Sequence, residues 1–221
     1  INERSIFEVV ITEDQNNIYI ALKNPKEVYS KIVIVDAGHG AHDPGTSGAG
    51  VEEQVLTLDM ALSLESMLNN SYNQTGIKVY MTRNDDTYVT LSGRAAQANE
   101  IGDLFVSVHV NSVAPNEVPN GTETFYFPHS NDNAIGITTE ETAKIFHKHL
   151  LSRLGSQDRK VKEERYVVLR ETTVPSVLCE IGFLSNPEEA EKLKDPAYRQ
   201  LAVEAMYSAI VETFSVYSPR R

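Results

Sequence analysis

The chain has 221 residues, 41% of them hydrophobic and 23% charged, ordinary figures for a soluble globular protein and enough for one domain with a sizeable core. Its formal net charge is −11, from 31 acidic against 20 basic residues, and no basic stripe forms, which argues against a nucleic-acid partner. No apolar run approaches the ~20 residues of a membrane-spanning helix, and the single cysteine, Cys179, excludes an internal disulfide framework.

The chain starts at Ile1 without a methionine and ends "SPRR", so it reads as an excised or processed fragment, and a missing signal segment says nothing of compartment. Such an acidic chain would need another module to hold it on an anionic polymer. Residues 1–30 stand apart. "FEVVI" and "IYIAL" are β-prone runs around the polar "TEDQNN", predicting a hairpin that is an added edge or the end of a preceding module. From residue 31 strands and helices alternate. "KIVIVD" is a strand apolar enough for burial on both faces. Residues 53–70 space Val55, Leu58 and Leu62 as a helix, and "IKVYMT" is the next strand. "TLSGRAAQANEIG" is a helix stopped by Gly102, followed by strands "LFVSVHV" and "GTETFYF". "TTEETAKIFHKHLLSRLG" carries helix signals at both ends. "RYVVLR" and "PSVLCEIGF" read as strands, and two helices opened by Pro187 and Pro196 close the chain. This order predicts an α/β fold: a mostly parallel twisted sheet with helices on both faces, a single domain over residues 31–216, the hairpin extension at 1–30 and a tail at 217–221.

Three apolar strands carry an ionisable residue toward their C-terminal ends: His39 after "IVIVDAG", His109 in "LFVSVHVNS" and Glu180 in "SVLCEIGF". Ligands of open α/β sheets sit beyond those ends. Glu53 opens the helix after the glycine-rich loop "GAHDPGTSGAG" and can fold back toward His39. Two histidines and a carboxylate with an open fourth position suit a catalytic zinc ion, and a second, unligated carboxylate suits the accompanying base. A single histidine in a strand is more often a packed core residue. Glu180 is harder to dismiss, because an unpartnered buried carboxylate costs several kcal/mol. Regular alternation sends its neighbour Cys179 to the opposite face. Spacing leaves His42 as an alternative ligand and Glu52 as an alternative to Glu53; His147 and His149 cannot share a helix face.

In order along the chain, "IVIVDAGHG", "GVEEQVLTLDMA", "VYMTRNDDTYVTLSGRAAQAN", "DLFVSVHVNS", "NGTETFYF" and "VLCEIGFLSNPEE" resemble the zinc-dependent N-acetylmuramoyl-L-alanine amidases of the type-3 family, catalytic domains of bacterial cell-wall hydrolases. The resemblance covers residues 31 to about 214. It implies zinc on His39, Glu53 and His109, and Glu180 as the catalytic carboxylate. "GVEE" meets the family pattern at Glu53 rather than Glu52, and the same pattern leaves His42 in the loop. It further implies Glu123 as a supporting or substrate-facing residue, with Asn111 and Arg170 as candidates of the same kind.

The implied reaction is hydrolysis of the amide between N-acetylmuramic acid and the L-alanine of the stem peptide. The implied partner is peptidoglycan, met outside the cytoplasm; nothing in the sequence points to an obligate oligomer, so a monomer is expected, with room for wall-anchoring modules outside this segment. Some family members carry an inserted helix that blocks the zinc; the connection "PHSNDNAIGI" is short, which predicts an open site. The alternatives are another zinc amidohydrolase of the wall, a stem peptidase or a sugar deacetylase, and a non-catalytic wall-binding domain.

Overall fold

The computed structural model describes residues 6–113, 119–130 and 136–219. Strands β1 (Glu8–Glu13) and β2 (Ile18–Lys23) pair antiparallel as the expected hairpin, Val9 opposite Leu22 and Ile11 opposite Ile20, in a two-stranded sheet of their own. Asp14 closes the turn by accepting the backbone N–H groups of Asn16 and Asn17. Helix α1 (Pro25–Val28) follows, with Asn24 and Glu27 forming a capping box.

Strand β3 (Lys31–Ala37) leads into a small ribbon of β4 (Ser47–Gly48) and β5 (Val51–Glu52), then α2 (Glu53–Thr75), which Gly76 ends in the left-handed conformation. After β6 (Ile77–Met81) come α3 (Leu91–Ile101), capped by Thr90, and β7 (Leu104–Asn111). Strand β8 (Thr122–Tyr126) precedes α4 (Thr139–Leu154), whose ends are the Thr138–Glu141 capping box and Gly155. Strand β9 (Asp158–Glu163), α5 (Val167–Arg170), β10 (Ser176–Phe183), α6 (Pro187–Lys194) and α7 (Pro196–Val216) complete the described chain.

Six strands form one sheet in the order β6-β3-β7-β10-β8-β9. The first four are parallel, β8 runs antiparallel to β10, and β9 runs parallel to β8. The mostly parallel sheet with helices on both faces is therefore present, with an antiparallel edge.

One reading of the sequence is corrected and one strand is added. "RYVVLR" holds the single turn α5, not a strand. Val168 and Leu169 are both buried, and a short apolar run of this kind carries no periodicity to tell turn from strand. The strand before β10 is instead β9, "DRKVKE", which the sequence reading did not assign and which lies at the sheet edge, where charged side chains are tolerated and discourage further pairing. The connection that predicted an open site runs through residues 131–135, which lie outside the described residues.

Alternation along the strands divides the core unequally. Val33, Val35, Val106, Val108, Val177 and Cys179 face the larger core, with Leu64 of α2, Phe146 of α4 and Met206 of α7. Ile32, Ile34, Phe105 and Leu178 face a smaller core with Ala98 and Ile101 of α3 and Val168 and Leu169 of α5. Two short helices cover less of a sheet than three long ones. The C-terminal halves of β3, β7 and β10 on this thinner side border a cleft.

Candidate active site

The cleft has a volume of about 320 Å³. Asp36, His39, His109, Asn111 and Glu180 line one part of it, and Leu91, Tyr166, Val167, Val168 and Leu178 form an apolar wall. Counting by twos from Phe105 puts Ser107, His109 and Asn111 on the thinner face of β7, and counting from Leu178 puts Glu180 on the same face of β10. Cys179 is buried on the other face, as alternation required.

Glu53 is delivered differently. The backbone N–H of Glu53 donates to Thr46 O at 2.8 Å, and that of Gln54 to Pro44 O at 3.1 Å, so the glycine-rich loop folds over the start of α2. The carboxylate then lies between the two imidazoles: His109 Nδ1 is 2.9 Å from Oε1 and His39 Nε2 is 3.2 Å from Oε2. His39, Glu53 and His109 are the one group among the described residues whose ligand atoms could hold a metal ion, all within 4.8 Å of one another.

The donor set fits such an ion. Two imidazole nitrogens and one carboxylate converge from a loop, a helix start and a strand, and the surroundings keep them close. A side chain at Gly45 would enter this space, its Cβ lying 2.5 Å from Glu53 Oε2 and 2.7 Å from His39 Cδ2. A Cβ at Gly38 would run into the His109 ring. His39 Nδ1, the nitrogen away from Glu53, lies 2.9 Å from Asp43 Oδ2, so a carboxylate orients the ring and leaves Nε2 for the centre. Burial alone would raise the Glu53 pKa, but hydrogen bonds from His109 and His39 hold its carboxyl well below the usual carboxylate range.

Glu180 has the opposite environment. It is buried, Oε2 has no hydrogen-bond partner among the described residues, and burial, with Glu53 and then Glu123 nearby, pushes its pKa well above the ordinary value. One carboxylate held ionised and another poised to keep a proton is an arrangement that separates ligand from acid–base group.

The remaining candidates fall into place or away from it. Glu123 is directly across from Glu180 on β8; its Oε1 accepts from Arg159 and Lys162 at 2.7 Å each, and its Oε2 from Asn111 Nδ2 at 3.0 Å. Asn111 therefore meets the cleft while Glu123 steadies it. Arg170, on α5, pairs with Glu171 and is not among the residues lining the cleft. His42 is exposed and packs on Tyr88 with the rings tilted, and Glu52 accepts from Gln54 Nε2 in front of α2, so neither joins the cluster. His147 is buried between Thr124 and Asp158, and His149 pairs with Glu212.

Sequence reasoning missed Asp43, Asp36 and two arginines. Asp36 is fully buried and accepts from Arg94 Nη1 at 2.7 Å, Ser107 Oγ at 2.6 Å and Thr82 Oγ1 at 2.6 Å. Burial opposes its charge, and the Arg94 guanidinium with the two hydroxyls still holds its carboxyl below the ordinary value. A buried acid in "IVIVD" was the available signal. The arginines of "TRNDD" and "SGRAA" sit among polar residues and look like surface.

Residues 33–212 match the family model described as N-acetylmuramoyl-L-alanine amidase. The sporulation-specific N-acetylmuramoyl-L-alanine amidase of Bacillus subtilis is 32% identical over 185 residues, 83% of this chain and 68% of that protein. The probable cell wall amidase LytH of Staphylococcus aureus is 36% identical over 204 residues, 91% of this chain and 64% of that protein. Among solved structures, an N-acetylmuramoyl-L-alanine amidase from Clostridium difficile 630 superposes with a TM-score of 0.77 at 31% identity, over 84% of this chain and 97% of that one. The catalytic domain of CwlV, an amidase from Paenibacillus polymyxa, gives 0.74 at 35% identity, over 84% and 99%. With a family match over most of its length and the same fold, the chain belongs to the N-acetylmuramoyl-L-alanine amidase family.

Proposed function

We propose that residues 31–216 form a zinc-dependent hydrolase that cleaves the amide between N-acetylmuramic acid and L-alanine in peptidoglycan, acting outside the cytoplasm. The observation that carries the reading is the convergence of His39, Glu53 and His109 beside a buried Glu180 in one cleft. His39 Nε2, the Glu53 carboxylate and His109 Nδ1 would hold the ion, which when bound supplies Lewis acidity and lowers the pKa of water.

The other steps belong to the chain. The cleft admits the scissile amide with its apolar flank against Leu91, Tyr166 and Val168. Glu180, as carboxylate, takes a proton from the attacking water as the oxygen adds to the carbonyl carbon. Glu180 borders the centre with no hydrogen-bond partner for Oε2 among the described residues, which leaves that oxygen to receive the proton, and the carboxylic acid so formed returns it to the alanine nitrogen as the C–N bond breaks. The products are a lactyl carboxylate on the glycan and a free stem-peptide amine.

Digestion of purified peptidoglycan, followed by mass spectrometry, tests this directly. Release of intact stem peptides from unshortened glycan, abolished by chelator and restored by zinc, is the expected result. Shortened peptides would assign a peptidase and free acetate a deacetylase. An untouched wall with no bound metal would leave a binding domain.

A further inference from the structure

Arg83 makes no hydrogen bond to the side chain of His39, Glu53 or His109 among the described residues, yet it bonds the backbone beside two of them. Arg83 follows β6, is 4% exposed, and forms no ion pair with a carboxylate among the described residues. Its guanidinium donates instead to backbone carbonyls. Nε reaches Ala37 O at 2.9 Å and Nη1 reaches Asp85 O at 2.9 Å. Nη2 reaches both Gly38 O and Gln54 O, each at 2.9 Å. Gly38 precedes His39 and Gln54 follows Glu53, so one nitrogen joins two segments that each carry a ligand. Thr57 reinforces the joint, its hydroxyl donating to Gly38 O at 2.8 Å.

The loop held in this way is strained. His39, Gly40 and Ala41 have φ of 63°, 137° and 51°, and the first and third are not glycine. Left-handed backbone is unfavourable at residues that carry a Cβ and persists only where the surroundings impose it. Arg94 Nη2 accounts for the His39 carbonyl at 2.7 Å and Asp86 for the Ala41 N–H at 2.7 Å. Arg83 bonds the carbonyl before His39 and the carbonyl after Glu53 through a single nitrogen, and Thr57 adds a second tie from α2 to Gly38 O. A buried cation satisfied by carbonyls rather than by a carboxylate costs desolvation with little Coulombic return. A planar fork can span two carbonyls where a single ammonium cannot.

We infer that Arg83 is the positioning residue of the metal centre: through Gly38 O and Gln54 O it sets the separation of His39 and Glu53 before any ion arrives. This rests on the metal-site reading above. The test measures zinc affinity of the purified chain by competition with a chromophoric chelator, and the visible spectrum of the cobalt(II)-substituted protein. Circular dichroism and thermal melting run alongside. Arg83→Lys, folded, should bind zinc about 10–100-fold more weakly and show an altered cobalt spectrum. Thr57→Val, a milder change that removes only the hydroxyl from the joint, should weaken binding several-fold. A folded Arg83→Lys variant that melts lower but keeps wild-type zinc affinity and cobalt spectrum overturns the inference. If Arg83→Lys does not fold, unchanged affinity and spectrum in Thr57→Val overturn it. Wild-type protein that binds no zinc defeats the metal-site reading itself, an outcome the wild-type titration separates from the others.

Discussion

Glu180 stands beside His109 in the parallel register of β10 and β7, on the same face of the sheet, with no hydrogen-bond partner for its Oε2 among the described residues. One strand spacing separates a candidate ligand from a candidate proton carrier, so the carboxyl borders the centre without belonging to it.

Glu180→Gln keeps size and shape and removes the proton-carrying group. Turnover of peptidoglycan should fall by about 10²–10⁴-fold with bound zinc unchanged. The same variant carries a stability signature. Glu180 holds its proton above the ordinary 4.5, so its favourable contribution to folding is complete below about 4.5 and is lost as pH rises through the folded value. Metal-free Glu180→Gln should therefore melt higher than metal-free wild type at pH 8, with the gap closing toward pH 4.5. Equal melting curves at both pH values would remove the buried-carboxyl argument.

Asp43 is predicted to act through His39. Asp43→Ala leaves His39 Nδ1 without the carboxylate now 2.9 Å away, and zinc affinity should drop about 10–100-fold. Chelator competition reads this. Wild-type affinity in the variant would mean that packing, not Asp43, orients the ring.

Two glycines of one loop make a paired test. At Gly45, with φ of 67°, an added Cβ meets Glu53 and His39; at Gly50, with φ of 79°, it meets nothing within 4 Å. Both alanine variants suffer similar backbone strain, of order 1 kcal/mol. Gly45→Ala should lose bound metal and Gly50→Ala should keep it, as elemental analysis would show. Metal retained in Gly45→Ala would contradict the compact geometry.

Arg94 and Asp36 form a buried ion pair under the cleft, with side chains 2% and 0% exposed. Removing one partner leaves the other charge uncompensated, so Arg94→Met should cost about 3–5 kcal/mol in urea unfolding. Adding Asp36→Leu should recover part of that loss. A double variant less stable than the single one would show that hydrogen bonding to Ser107 and Thr82, rather than the unpaired charge, dominates.

Much of the fold was legible. Apolar runs of period two or 3.6, proline at helix starts and glycine at helix ends are local signals, and they placed the hairpin, the parallel strands and the long helices. β9 was missed and α5 misread because their structure is imposed from outside: one is an edge strand allowed to be charged, the other a single turn whose burial comes from α3 and β10.

Of the candidate centre, the sequence by itself determined the chemistry on offer, since an imidazole or carboxyl ending an apolar run is visible in the run. It determined as well that Cys179 and Glu180 face opposite sides, a consequence of strand geometry. The tertiary structure decided which of these groups meet. Glu53 rather than Glu52 turns inward because two backbone hydrogen bonds fold the glycine loop over α2, and His42 turns outward onto Tyr88. It decided also what holds them: beside Asp43, four residues from His39, the residues Arg83, Arg94 and Asp36 act through hydrogen bonds between groups up to 71 residues apart, which no local pattern encodes.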